Sequence, residues 1–355
     1  MAHTPSRHPR IPDIAQLSGV STATVDRVLN QRAGVRSATV QRVMQAAASL
    51  GYLPQADIHT ASQVQPQPLR LMVLIPEGSN RFLQMLGDVI GYAQDHWAPF
   101  NVRCQAAYIE SFNPDALAKA LLHYGKRCDG IAFMALEHPV VREAVAQLAE
   151  QGVPTVTLIS DLSSSRRVAY VGLDNRAAGR TAAYLIARFM GPLAHSPKSR
   201  PARVAMIVGS LRYRAHEERE AGFLHLFEEQ FPLVQVVGVR EGQDDAEKNY
   251  SQARALLEQH SDLAGIYNIG GGAEGIGRAL KEVGADRKIV FIGHGLTPDT
   301  RALLIDGTMD AVITQNPQGA VMNCVRIFAN LRDGREPTSG VETTRSQVIF
   351  RENLP

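Results

Sequence analysis

The sequence has only three cysteines, Cys104, Cys128 and Cys324, far apart and without the paired spacing of a metal site. That excludes a disulfide framework and fits a reducing compartment. Long apolar runs are missing as well. No stretch approaches the roughly 18 uninterrupted apolar residues of a membrane span, and MAHTPSRHPR at the start has no apolar run behind it for an export machinery to read. A cytoplasmic protein with no membrane partner is the expectation. Catalytic signatures are equally scarce: there is no HExxH, no GxSxG and no GxxxxGK(S/T). The three cysteines are poor nucleophile candidates, since Cys128 and Cys324 sit in or beside apolar helical patterns. The expectation is that the protein is not an enzyme and takes no cofactor or metal; the alternative is an enzyme whose acid and base follow no familiar pattern.

Net charge is small, formally +2, but unevenly spread. Residues 1–60 carry six Arg and three Asp, a local +3, whereas the remainder carries 31 basic and 32 acidic residues. A local basic excess is what contact with nucleic acid requires. A chain of 355 residues exceeds the size of one hydrophobic core, so two or more domains are expected.

The first 53 residues carry helical periodicity. Ile14 and Leu17 share the inner face of a short helix that Gly19 ends. Ser21 caps a second helix that turns Val25, Val28 and Leu29 inward, and Ser37 caps a third with Val40, Val43, Ala47 and Leu50. The short link between the first two has helix-turn-helix spacing. Residues 54–68 offer little to build a core and read as a hinge or linker. From 69 to 355 the period changes: RLMVLIP, DGIAFMA, VPTVTLIS, RVAYVGL, ARVAMIVGS, VQVVGVR, AGIYNIG, KIVFIGH and MDAVITQ are strand-like, most of them separated by helical stretches. This alternation predicts an α/β fold, a helical head followed by a two-lobed domain with parallel doubly wound sheets. The first lobe is expected over about 69–172 and 316–344, the second over about 173–315 and 345–355. Functional groups should gather at the strand ends, between the lobes.

The run DIAQLSGVSTATVDRVLNQRAGVRSATVQRVMQAAASLGYLP resembles the head of the lactose and galactose repressor family. Downstream, VPTVTLISDL, YVGLDNRAAGRTAA, YNIGGGAEG, FIGHGLTPDTRALL and DAVITQNP are similar to periplasmic sugar-binding proteins of the ribose type, which also supply that family's sensor. The resemblance implies a transcriptional regulator, a repressor, that binds double-stranded operator DNA as a homodimer and responds to a small polar effector: a sugar, polyol or sugar derivative. A solute-binding protein of a transport system is the alternative that the second half alone allows. In such a head the second helix enters the major groove, which assigns Thr22, Ala23 and Arg27 to base edges, and Ser21, Thr24 and Asn30, with Tyr52, to positioning on DNA. Two departures stand out. Asp26 occupies a position where the family has serine, and after Tyr52 the run LPQADIHT lacks the family's small leucine-bearing helix, leaving Ile58 as the candidate apolar wedge.

The same resemblance places ligand-binding residues at Asn80, Phe82, Asp161, His294 and Gln315, and Arg212 near another strand end is a candidate for an anionic group. Each has a plainer role: Asn80 and Asp161 as caps, Gln315 as a backbone partner, Arg212 as a solvated surface charge. At Asp161 the family's following arginine is expected to be absent, and His294 replaces the usual aspartate. Gly270, Gly272 and Gly275 satisfy GxGxxG, yet no acidic residue ends the next strand, so a tight turn near ligand or the opposite lobe is preferred to dinucleotide binding.

Overall fold

The computed structural model describes residues 9–30, 32, 35, 37–52, 67–92, 99–195 and 201–355. Residues 54–66 of the expected hinge (54–68), Ile58 among them, and the Ser37 side chain lie outside them. The chain divides into two units, Met1–Pro68 and Leu69–Pro355.

In the first unit, α1 (Ile11–Ser18) begins where the Asp13 carboxylate accepts the Arg10 amide at 2.7 Å, and it stops at Gly19, whose φ of 67° suits a residue without Cβ. The Ser21 hydroxyl caps α2 (Thr22–Leu29) by accepting the Thr24 amide at 3.2 Å. With α3 (Ser37–Ser49), these helices close on Ile14, Val25, Val28, Val43 and Ala47. Leu17, expected inside, is 57% exposed. The buried face of α1 runs through Ile14, Ala15 and Ser18, and Leu17 falls outside it.

The second unit holds two sheets. Its first lobe contains β1 (Leu69–Pro76), α4 (Arg81–Tyr92), β2 (Val102–Ile109), α5 (Pro114–Gly125), β3 (Gly130–Phe133), α6 (Pro139–Glu150), β4 (Thr155–Leu158) and β5 (Ala169–Val171). These strands run parallel in the order β2-β1-β3-β4-β5. The second lobe contains α7 (Asn175–Met190), β6 (Ala202–Val208), α8 (Arg214–Gln230), β7 (Val234–Glu241), α9 (Ala246–Gln259), β8 (Leu263–Asn268), α10 (Ala273–Glu282), β9 (Val290–His294), α11 (Pro298–Asp306) and β10 (Ala311–Thr314). The chain then returns: α12 (Pro317–Arg332) buries Val321, Val325 and Phe328 in the first lobe's core. It crosses back once more as β11 (Gln347–Ile349), giving the order β11-β10-β9-β8-β6-β7.

Two strands differ from the sequence reading. β2 escaped it because this edge strand exposes Arg103 and Gln105 in alternation, diluting its apolar signal. β11 pairs antiparallel with β10, so the second sheet is mixed rather than wholly parallel. By contrast, β3, β4 and β10 are buried along their whole length, as parallel strands covered on both faces must be. Among the described residues no helix is long and apolar enough to cross a membrane.

One packing feature positions the site. Helices α7 and α8 cross at two glycines: a Cβ on Gly179 would collide with the Arg219 carbonyl, and one on Gly222 with the Arg176 carbonyl. Only glycine allows this approach, and it sets Arg219 on the inner side of α8, where it is buried.

Candidate functional site

The loops after β1, β3, β4, β8, β9 and β10 meet between the lobes around a narrow cleft. From the first lobe come Asn80 and Phe82 at the start of α4, Met134 after β3 and Ile159 after β4; the second contributes His216 and Arg219 of α8, Gly270, His294 and Gln315. Asn80, Phe82, His294 and Gln315, far apart in sequence, are thus brought together. His216 and Arg219 are additions that the sequence reading missed. They lie inside a helix whose pattern is dominated by charge, and nothing in that pattern marks which charged residues turn inward.

Arg219 is 6% exposed. Its Nε donates to Asn175 Oδ1 and its Nη1 to the Ile269 carbonyl, both at 2.9 Å. Burial pushes its pKa down, but a guanidinium starts so far above neutrality that it stays charged. His216 Nδ1 lies 3.0 Å from the Ser210 carbonyl. Burial, with the positive charge of Arg219 beside it, lowers His216 to about 4 against the opposing pull of Asp244. His294 is driven well below its ordinary value by burial, then by Arg219 and His216, and its Nε2 lies 2.6 Å from the Tyr267 hydroxyl. Tyr267 is itself fixed by stacking on Phe223, with ring centroids 4.8 Å apart. Both histidines are therefore neutral hydrogen-bonding groups at pH 7.

The glycine loop has a different occupant from the one its pattern suggests. After β8, Gly271 N–H donates at 2.7 Å to Asp244 Oδ1, and Asn249 Nδ2 donates to the Gly271 and Gly272 carbonyls. A Cβ on Gly270 or Gly209 would strike the Asp244 carboxylate. The anion at the start of α10 is the chain's own. Asp244 also joins the lobes, because Asn80 Nδ2 donates to its Oδ2 and Ser79 Oγ to its carbonyl, each at 3.0 Å. Gln243 and Asp244 both adopt positive φ, 54° and 57°, a conformation that side-chain-bearing residues enter at a cost.

Two expected ligand residues are not on the cavity wall. Asp161 has its arginine after all: Arg167, six residues on, grips both carboxylate oxygens, while the Thr157 hydroxyl donates at 2.6 Å and the Leu162 amide at 2.8 Å. Burial would raise the Asp161 pKa, but those donors outweigh it and hold the carboxyl below its usual range. The intervening turn brings the pair together, which linear spacing concealed. Arg212 is exposed and serves lobe contact instead. Its Nη1 donates to the Phe112 carbonyl at 3.3 Å, and its carbonyl accepts the Glu137 amide at 2.9 Å. Next to it, Tyr213 is buried in the first lobe's core, edge-on to Phe112 at 5.5 Å.

In the head, Ser21, Thr22, Ala23, Arg27 and Asn30 are exposed and Thr24 half-buried. Ala23 and Arg27, four apart, share a face of α2. The Thr24 hydroxyl lies 2.9 Å from that of Ser21. Asp26 is held away from isolation by Asn30 Nδ2 at 2.8 Å and Arg32 at 3.6 Å. Tyr52, beyond α3, is 38% exposed.

A model of the periplasmic binding protein domain matches residues 84–336, and one of bacterial regulatory proteins of the lacI family matches residues 10–55. The chain belongs to the periplasmic-binding-protein family and carries a lacI-type head. Across 98% of its length it is 27% identical to an uncharacterized HTH-type transcriptional regulator in the aml 5' region of Streptomyces limosus, covering 93% of that protein. The ribose import binding protein RbsB of Bacillus subtilis is 26% identical over 54% of this chain and 58% of its own length. Among solved structures, the glucose-galactose binding protein GanP of Geobacillus stearothermophilus matches with a TM-score of 0.71 at 23% identity, over 82% of this chain and 100% of that one. This last likeness is one of fold. The described residues hold no cluster of three or more potential metal ligands.

Proposed function

We propose that the protein is a sequence-specific operator-binding regulator, a repressor, working as a homodimer in the cytoplasm under the control of a small hydroxylated effector bound between the lobes. The observation carrying this reading is the lacI-type head, in which α2 leaves Thr22 and Ala23 exposed on its opening turn and Arg27 exposed one turn farther along, while Asp26 is engaged by Asn30 and Arg32. Arg27 is suited to guanine O6 and N7, Thr22 and Ala23 to neighbouring base edges, and Ser21, Thr24, Asn30 and Tyr52 to the phosphate backbone. A dimer doubles the few bases that one helix reads, over an inverted repeat.

A second reading is a solute-binding protein of a transport system. The ribose-import relative and the glucose-galactose binding protein favour it, since both match the ligand-binding part of the chain. It leaves residues 10–55 without a role, and on that ground we prefer the regulator. Selection of randomised duplexes by the purified full-length protein discriminates the two. Enrichment of an inverted repeat supports the regulator, with Arg27→Ala weakening that sequence by about 1–3 kcal/mol relative to random DNA. Failure to enrich any sequence, with retained sugar binding, returns the assignment to solute binding.

A further inference from the structure

We infer that Asp26 is a built-in competitor for DNA phosphate: its carboxylate holds Asn30 and Arg32, two donors beside the proposed DNA-facing surface of α2, and so weakens the head's sequence-independent grip on duplex DNA. The inference deepens the operator-binding reading and rests on it. Between Pro9 and Tyr52 the sequence has five arginines but only two carboxylates, Asp13 and Asp26. Asp13 is engaged at the start of α1, where it accepts the Arg10 amide at 2.7 Å. Asp26 is placed differently. It lies in the second half of α2, next to Arg27 and four residues from Thr22 and from Asn30, all three of them exposed. The helix dipole disfavours an anion towards a helix's C-terminal end, and aspartate is a poor helix former. Neither capping nor helix stability therefore accounts for a carboxylate at this position.

Its partners do. Asn30 Nδ2 donates to Asp26 Oδ1 at 2.8 Å and to the Asp26 carbonyl at 3.0 Å. Arg32 Nη1 lies 3.6 Å from Asp26 Oδ2, and the Arg32 amide donates to the Arg27 carbonyl at 2.8 Å, which keeps that residue beside the end of α2. Neither side chain of the ion pair is buried. An exposed pair at this separation is held weakly, whereas a phosphate offers the guanidinium short bidentate bonds, so a duplex can draw Arg32 away. The exchange leaves Asp26 as a bare anion beside a polyanion. An uncharged residue at the same place imposes no such repulsion. Non-specific binding consists of phosphate neutralisation and counterion release, so the repulsion acts on the whole of that affinity.

Asp26→Asn in the full-length protein removes the charge and keeps a side-chain oxygen for Asn30. Its binding to a mixed-sequence duplex is followed by fluorescence anisotropy between about 50 and 200 mM salt. The expected result is an affinity about three- to tenfold above wild type, with the slope of log K against log salt steeper by about one per head as Arg32 reaches phosphate. Introducing Arg32→Gln beforehand should reduce that gain to about twofold or less. Unchanged affinity and slope overturn the inference. An equal gain with and without Arg32 overturns it as well, by assigning the effect to net charge alone. Loss of binding to every duplex would make Asp26 a structural residue, and weakening confined to the selected inverted repeat would mark a direct contact from the carboxylate to cytosine N4; either result also refutes the competitor role. Wild-type protein that binds the mixed duplex but enriches no repeat removes the operator reading and leaves the Asp26 comparison intact, whereas wild-type protein that binds no duplex removes both.

Discussion

Replacing Gly179 by alanine removes a helix-weakening residue from the interior of α7, and on propensity alone stabilises the protein by about 1 kcal/mol. The helix crossing reverses that sign. The new Cβ would collide with the Arg219 carbonyl, a backbone atom of the facing helix that cannot rotate aside as a flexible side chain can. Overpacking of a rigid contact costs up to about 3 kcal/mol. Set against the propensity gain, this leaves a net loss of about 2 kcal/mol, which lowers the sensor transition by about 3–4 °C for a domain of this size. Thermal unfolding followed by far-ultraviolet circular dichroism measures it. Gly91→Ala, near the end of α4 with open space around its Cβ position, is the control and should be neutral or slightly stabilising. A Gly179→Ala protein as stable as wild type refutes the close crossing and the account of what presses Arg219 against the cavity. Gly222→Ala, which meets the Arg176 carbonyl from the other side, should behave alike.

Asp161→Asn should destabilise the sensor by about 1.5–3 kcal/mol through the charge-assisted bonds it removes, while leaving effector affinity within about twofold. Because the folded Asp161 pKa is depressed, its contribution is complete above the unfolded value near 4 and is lost as pH falls through the folded value. The deficit of the variant, read from melting temperatures at pH 7 and pH 3, should therefore shrink in acid; a constant deficit would mean that the charge is not what stabilises. His216 has the opposite chemistry and the same direction. Its folded value is about 4 against about 6.5 unfolded, so stability falls as pH drops below about 6.5. The loss is about 1.4 kcal/mol by pH 5.5 for this histidine alone, and a flat melting temperature between pH 7.5 and 5.5 would contradict its burial as a neutral group. Ser21→Ala removes the α2 cap and should cost the head about 1 kcal/mol, seen as roughly fivefold faster amide exchange along α2.

The sequence by itself determined whatever depends on neighbours along the chain. Ser21 before a run of helical period, Gly19 after one, and β-branched apolar segments spaced by amphipathic helices dictate local conformation directly. The head and the alternating sensor were legible for that reason, as was the convergence of Asn80, Phe82, His294 and Gln315 once strand ends were aligned with the family pattern. What the tertiary structure alone decided is which polar groups find partners. Asp161 looked deprived of its arginine until a turn brought Arg167 back to it. The Gly270–Gly272 loop read as a tight turn, but that its backbone closes on the carboxylate of Asp244, 27 residues away, was not visible in the sequence. Arg212 and Arg219 differ little as letters in a charged stretch, yet one reaches across the lobes at the surface and the other is buried on the cavity wall. The glycine crossing of α7 and α8 makes that distinction. It depends on two helix surfaces meeting in three dimensions, and neither helix's own sequence period specifies its partner.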